Sequence, residues 1–377
     1  MNQARPPRTE PEALKQITEI LMNDPEDLRG RLQREIILNA LKCKRDELDV
    51  QSLKLLNRAL SEFRYASKVF KPYRGTRKVS VFGSSRTLES DAYYQLAVAF
   101  GRLMASSGFM IITGAGEGIM RAGIEGAGRE HSFGVNILLP ANPANRFIQE
   151  DPKLVTFRYF FTRKLFFAME AHAFALFPGG FGTMDELFEV ITLLQTGKAP
   201  PMPIVLMELP GEKYWESLDQ FIRNQLLARG YVSPEDTSFY TIAKSPEEGL
   251  RWIQGFYAAY HSSRQVGDSI VLRLERELTD EQITRLNESF MDLAGGRIAR
   301  TPALPQELDE PELLTKPRIV FPYNRRSPGR LNQLIIALNT LAQSAAVAIS
   351  PASEPAPAGS PVQPSAPAAA APAASIG

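Results

Sequence analysis

Three rhythms of apolar and polar positions divide the chain. Over residues 11–70 apolar residues recur at helical spacing. Leu14, Ile17 and Leu21 form one set, Leu28, Leu32 and Ile36 a second, and Leu53, Leu56, Leu60 and Phe63 a third. Steps of three and four residues place each set on one helix face, so the spacing predicts two or three helices packed as a small N-terminal unit. Over residues 71–261 the rhythm shortens. VSVFG (79–83), FMIIT (109–113), FGVNILL (133–139), AFALF (173–177) and PIVLM (203–207) read as strands. Helices are predicted between them at about 91–107, from Ile119, and over 159–171, 183–196 and 214–227. Apolar strands alternating with helices predict an α/β fold, a Rossmann-like doubly wound parallel sheet covered on both faces. Residues 269–342 change rhythm again and read as a small C-terminal α+β appendage. Residues 1–10 are polar and Pro-rich, and residues 345–377 are mostly Ala, Pro and Ser with almost no charge. Neither carries the large apolar residues that offset ordering entropy, so both are expected to be disordered.

Composition narrows the functional classes. The 377 residues suffice for one sizeable α/β core with appendages,. A formal net charge of +1 gives no global footprint for nucleic acid or an anionic membrane, and neither partner is expected,. Cys43, the single cysteine, cannot form an intrachain disulfide,. The first residues have no apolar core of a signal peptide, and no run of about 18 apolar residues appears. A cytoplasmic protein is expected.

The Gly-rich segments fall where predicted strands end, which is where open α/β sheets bind ligands. The first turn is Phe82-Gly83-Ser84-Ser85-Arg86, with two hydroxyls and a guanidinium suited to phosphate,. Its bland reading is an ordinary strand-to-helix turn. The second is Thr113-Gly114-Ala115-Gly116-Glu117-Gly118, whose G-x-G-x-G spacing departs from the dinucleotide fingerprint,. The third, PGGFGTMDE over residues 178–186, carries the strongest signal. Gly179, Gly180 and Gly182 free backbone N–H groups just before a predicted helix, which makes an anion site. Thr183 either caps that helix or donates to a phosphate. Asp185 and Glu186 follow in the expected first helical turn, where one complements the helix dipole and the other could face a sugar. Upstream, Arg163 and Lys164 form a basic pair flanked by aromatic residues. His131, His172 and His261 lack metal-ligand spacing, and no metal or organic cofactor is expected.

Together these residues resemble the LOG ("lonely guy") family of nucleoside 5′-monophosphate phosphoribohydrolases. Residues 178–186 match its PGGxGTxxE motif, Arg163 and Lys164 its basic pair, and residues 82–86 and 114–120 its other strand-end turns. The resemblance covers roughly residues 71–261. The run FRYFFTRK, followed by PGGFGTMDELFEVITLLQTGK, looks most like the longer bacterial members.

The resemblance implies cleavage of the N-glycosidic bond of a purine nucleoside monophosphate, AMP or a cytokinin riboside monophosphate, to free base and ribose 5-phosphate. It implies Glu186 as the carboxylate beside the developing oxocarbenium ion, and Arg163 as the group that fixes substrate and Glu186. Phosphate and ribose contacts are expected from Gly83, Ser84, Ser85, Thr113, Gly114, Gly116, Lys164, Gly179, Gly180, Gly182 and Thr183. Longer members often carry an acid just after GIM. Arg121 stands there, so base preference could differ if it lines the pocket. A homodimer or higher homo-oligomer is expected. The alternative is a carrier, since some relatives hold a nucleotide-like cofactor without cleaving it. Lysine decarboxylase, a name attached to the family, finds no pyridoxal phosphate signature here.

Overall fold

The computed structural model describes residues 10–22, 28–139 and 144–349. Three helices come first: α1 (Glu10–Met22), α2 (Leu28–Arg45) and α3 (Val50–Phe70). Asp49 caps α3 by accepting from the amides of Gln51 and Ser52,. The apolar sets expected to pack together stay largely on the surface, with Leu28, Leu32, Ile36, Leu53, Leu56 and Leu60 all exposed. The stripe that α3 buries is a different one, Glu62, Ala66 and Phe70, and its apolar members join the core of the sheet domain. Helical spacing identifies faces, but not which of them meets the core.

The sheet domain runs β1 (Lys78–Phe82), α4 (Ala92–Ser106), β2 (Met110–Thr113), α5 (Ile119–Ala127), β3 (Ser132–Ile137), β4 (Leu154–Phe157), α6 (Phe160–Glu170), β5 (Ala173–Leu176), α7 (Phe181–Gln195), β6 (Ile204–Met207), α8 (Tyr214–Phe221), β7 (Tyr240–Ala243) and α9 (Pro246–Phe256). A π-helical turn, Ile222–Leu227, extends α8. The strands form one parallel sheet in the order β4-β3-β2-β1-β5-β6-β7. The chain winds outward from β1 to β4, then crosses back to place β5 on the other side of β1. The switch point of this doubly wound fold therefore lies between β1 and β5.

Side-chain alternation fills both faces. Val79, Val81, Ile111, Ala173, Ala175 and Val205 share a core with α4, α5 and α9. Phe82, Met110, Ile112, Phe174, Leu176 and Leu206 share the other with α3, α6, α7 and α8. Helices α4 and α5 pack so closely that a Cβ at Gly126 would lie 2.0 Å from the Val98 carbonyl oxygen.

The remaining elements are β8 (Tyr260–Val266), β9 (Ser269–Leu274), α10 (Asp280–Ser289), α11 (Met291–Ala294), β10 (Ala299–Arg300), β11 (Arg318–Pro322) and α12 (Pro328–Ile349). They form an antiparallel sheet, β10-β11-β9-β8, with a separate core that includes Leu272, Ile319, Phe321, Leu334 and Leu338. Its first strand, β8, begins before residue 269. Arg273 and Arg318 meet Glu307 at 2.8 Å each, and all three are buried. Asn339 of α12 accepts from the amides of Ala259 and Tyr260 and so ties the helix to the junction of the two domains. The segments expected to be disordered lie outside the described residues, except Glu10, which opens α1, and residues 345–349, which continue α12. Among the described residues no helix is long and apolar enough to cross a membrane.

Candidate active site

The carboxyl ends of β1 and β5 open into a cleft of about 740 Å³. Gly83, Ser84, Ser85 and Arg86 line it from β1, Arg163 and Phe160 from α6, and residues 179–186 from β5 and α7. The two strands flank the switch point, so the turns after them face each other by topology.

Within residues 178–186 the glycines have different work. A Cβ on Gly179 would lie 2.1 Å from Thr183 Oγ1 and 2.9 Å from the Ser84 nitrogen, so no larger residue fits. A Cβ on Gly180 or Gly182 would meet nothing within 4 Å. Gly180 is the N-cap, and α7 opens at Phe181, two residues ahead of the sequence expectation. Thr183 is therefore the third helical residue and not the cap. Because Gly180 has no side chain, the amides of Phe181 and Gly182 have no partner among the described residues. These amides and the positive end of the helix dipole are chemically suited to an anion at the cleft. Asp185 and Glu186, expected in the first turn, fall in the second.

The three turns are laced together. The Ser84 amide donates to the Pro178 carbonyl at 3.1 Å, and the Ser84 carbonyl accepts from the Ile119 amide at 3.0 Å. Gly118 has a φ of +66°, and a Cβ there would lie 2.2 Å from the Ser84 oxygen. Tyr214 braces the third turn, its hydroxyl donating to the Gly179 carbonyl at 2.6 Å. This contact spans 35 residues, and no local pattern announced it.

The second turn supports the cleft without lining it. Thr113 is fully buried, and its hydroxyl accepts from the Ala115 amide at 3.0 Å. Ala115 has a φ of +60°. The Asn145 side-chain amide holds this turn by donating to the carbonyls of Ala115 and Gly116 at 3.0 and 2.9 Å. Gly114 makes room for Arg163: a Cβ would lie 2.4 Å from its Nη2. Thr113, Gly114 and Gly116, expected at phosphate or ribose, thus act behind the lining. Arg121 also points elsewhere, pairing with Glu89 and Glu117.

Arg163 donates from Nε to the Val135 carbonyl at 2.8 Å and lies over the Phe167 ring. Burial lowers its pKa, and the charge of Glu186 opposes that shift. Among the described residues no ion pair joins the two within 4.0 Å, so their coupling is through space. Lys164 is engaged with Asp185 at 2.7 Å and Glu189 at 2.6 Å and does not line the cleft. Glu186 is 8% exposed. Burial pushes its pKa up to about 7, with Glu189 and Asp185 adding to the shift and Lys164 and Arg163 opposing it. A carboxyl poised there exchanges protons at neutral pH. Among the described residues no group of three His, Cys, Asp or Glu side chains could hold a metal ion.

Residues 116–253 match a protein family described as "possible lysine decarboxylase". A probable cytokinin riboside 5′-monophosphate phosphoribohydrolase of Oryza sativa subsp. japonica is 26% identical over 208 residues, covering 54% of this chain and 77% of the relative. A cytokinin riboside 5′-monophosphate phosphoribohydrolase of Arabidopsis thaliana is 27% identical over 206 residues, covering 53% of this chain and 91% of the relative. Among solved structures, a molybdenum cofactor binding protein from Rippkaea orientalis aligns with a TM-score of 0.36 and 17% identity, covering 48% of this chain and 96% of that one. Over its sheet domain the chain is thus similar to LOG-family phosphoribohydrolases, and it carries the complete PGGFGTMDE turn and the Arg163–Lys164 pair.

Proposed function

We propose that the protein hydrolyses the N-glycosidic bond of a purine nucleoside 5′-monophosphate, AMP or a cytokinin riboside monophosphate, to free base and ribose 5-phosphate. The observation that carries this reading is a buried carboxyl, Glu186, on the same cleft as the unpartnered amides that open α7. The phosphate binds those amides with the Thr183 hydroxyl, while Ser84, Ser85 and Arg86 reach it from the opposite turn. The ribose then lies toward Glu186, about one helical turn further on.

As the C1′–N bond breaks, its electron pair leaves with the base and positive charge develops on the ribose. Ionised Glu186 stabilises that charge and takes a proton from the water whose oxygen bonds to C1′. Arg163, poorly solvated and held by Val135, keeps the carboxylate partly ionised and orients substrate. The same reading has the protein working in the cytoplasm as a homodimer or larger homo-oligomer. Exposed Phe160, Phe161 and Phe181 near the cleft support self-association, which light scattering checks.

The test is base release from a panel of nucleoside monophosphates. Adenine release from AMP is expected, with Glu186→Ala lowering it by about 100-fold or more while the fold remains. Binding of these nucleotides without release of any base would sink hydrolysis and leave the carrier.

A further inference from the structure

A second cleft, about 750 Å³, opens on the opposite edge of the sheet, where the strands begin. The segments entering β1, β2, β5 and β6 form one wall, and residues from β8 and the end of β9 form the other. No residue here takes part in the chemistry proposed above.

Arg74, Arg77, His172 and His261 converge on this space from three stretches of chain. Arg77 lies 4.1 Å over the Tyr257 ring and reaches Glu275 at 3.1 Å. Arg74 is exposed and has no ion pair among the described residues. Lys78, behind the wall, sits 3.6 Å from Glu170, and Lys316 bonds Glu275 at 2.6 Å. Arg74 and Arg77 line the cleft with Glu275 and Glu312, while Lys78, Lys316, Arg273 and Glu170 stand behind the lining. One of those acids is already shared by two cations. The hydroxyls of Thr76 and Ser262 add neutral donors.

We propose that this interdomain cleft binds a small phosphate-bearing anion, gripped by Arg74 and Arg77 from the sheet domain and by His261 from the C-terminal domain. Paired guanidinium groups match phosphate oxygens, and the volume suits a molecule larger than inorganic phosphate. The imidazoles report on such a ligand. His172 is pushed down to about 4 by burial, Lys78 and Arg77, and His261 to about 4 by burial and Lys316 with Glu275 opposing. An arriving anion offsets the neighbouring cations, so binding draws a proton onto His261 and tightens as pH falls toward its pKa. His172, whose Nδ1 accepts from the Lys78 amide at 3.3 Å, stays neutral and reports the ligand through its environment.

The experiment uses the full chain and inorganic pyrophosphate, followed by imidazole nitrogen NMR. Three histidines give three pairs of ring-nitrogen signals, and His131 does not line the cleft. Pyrophosphate is expected to move His172 and His261 and to leave His131 in place. Arg74→Glu, at an exposed site, is expected to weaken the effect about tenfold or more with an unchanged melting temperature. Unmoved His172 and His261 signals, an undiminished response in Arg74→Glu, or a response to citrate alone would each overturn the proposal.

Discussion

The hydroxyl of Thr162 donates to the buried carboxylate of Glu62 at 2.7 Å, and the next residue along α6 is Arg163. Glu62 also accepts from the Arg158 amide at 2.7 Å and Arg58 Nε at 2.8 Å. Burial opposes its charge, but these donors more than offset that and lower its pKa. Helix α3 therefore anchors the start of the helix that carries the candidate catalytic arginine. Glu62→Ala strands buried donors and should cost about 1–3 kcal/mol in chemical denaturation. It should also lower kcat/KM for base release more than Arg58→Ala, which removes only the exposed partner.

Base release should depend on the ionisation of Glu186. With its pKa near 7, kcat/KM falls as pH drops through that value, by about tenfold per unit well below it,. Glu186→Gln should remove this acidic limb along with most of the activity. A limb that persists unchanged in the residual activity assigns the titration to another group.

The same group has the opposite effect on stability. A buried carboxyl with a raised pKa holds its proton in the folded state after the unfolded state has released it. Its contribution is full below the ordinary carboxyl pKa of 4.5 and is lost as pH rises to about 7. Glu186→Gln should therefore gain stability over wild type across that window and plateau above it, by up to about 3 kcal/mol. Urea denaturation at a series of pH values reads the difference.

Two glycine substitutions separate steric support from open lining. Gly114→Ala forces Arg163 away, because the new Cβ would lie 2.4 Å from its guanidinium. It should lower kcat/KM by about tenfold or more with a modest change in melting temperature. In Gly180→Ala the new Cβ meets nothing within 4 Å, so the fold should survive and any loss should appear in KM. Equal kinetic damage of one kind in both variants would count against this division.

Much of the fold was legible because parallel strands buried on both faces leave short apolar runs. AFALF, PIVLM and FMIIT became β5, β6 and β2 within one residue at either end. Strand β4 escaped because LVTF carries a surface threonine that breaks the apolar run, and β7 because YTIA reads equally as loop. The site was legible where backbone chemistry makes it, at Gly179 to Thr183. It was not legible where distant parts hold it: Tyr214 on Gly179, Asn145 on the second turn, Glu62 behind α6. The start of α7 is masked in the sequence because Thr183 is a favoured cap, whereas Gly180 takes that place and leaves amides open,.

The Asn339 contact sets an order of assembly. The amides it accepts, at Ala259 and Tyr260, are made 80 and 79 residues before it. At about 5–20 residues per second, a ribosome takes about 4–16 seconds to cross that interval. The seven-stranded domain is complete in sequence at the start of it, while its exit into β8 still lacks the side chain that fixes it. The parallel sheet can therefore form during synthesis, and the junction with the C-terminal domain closes only once α12 has emerged.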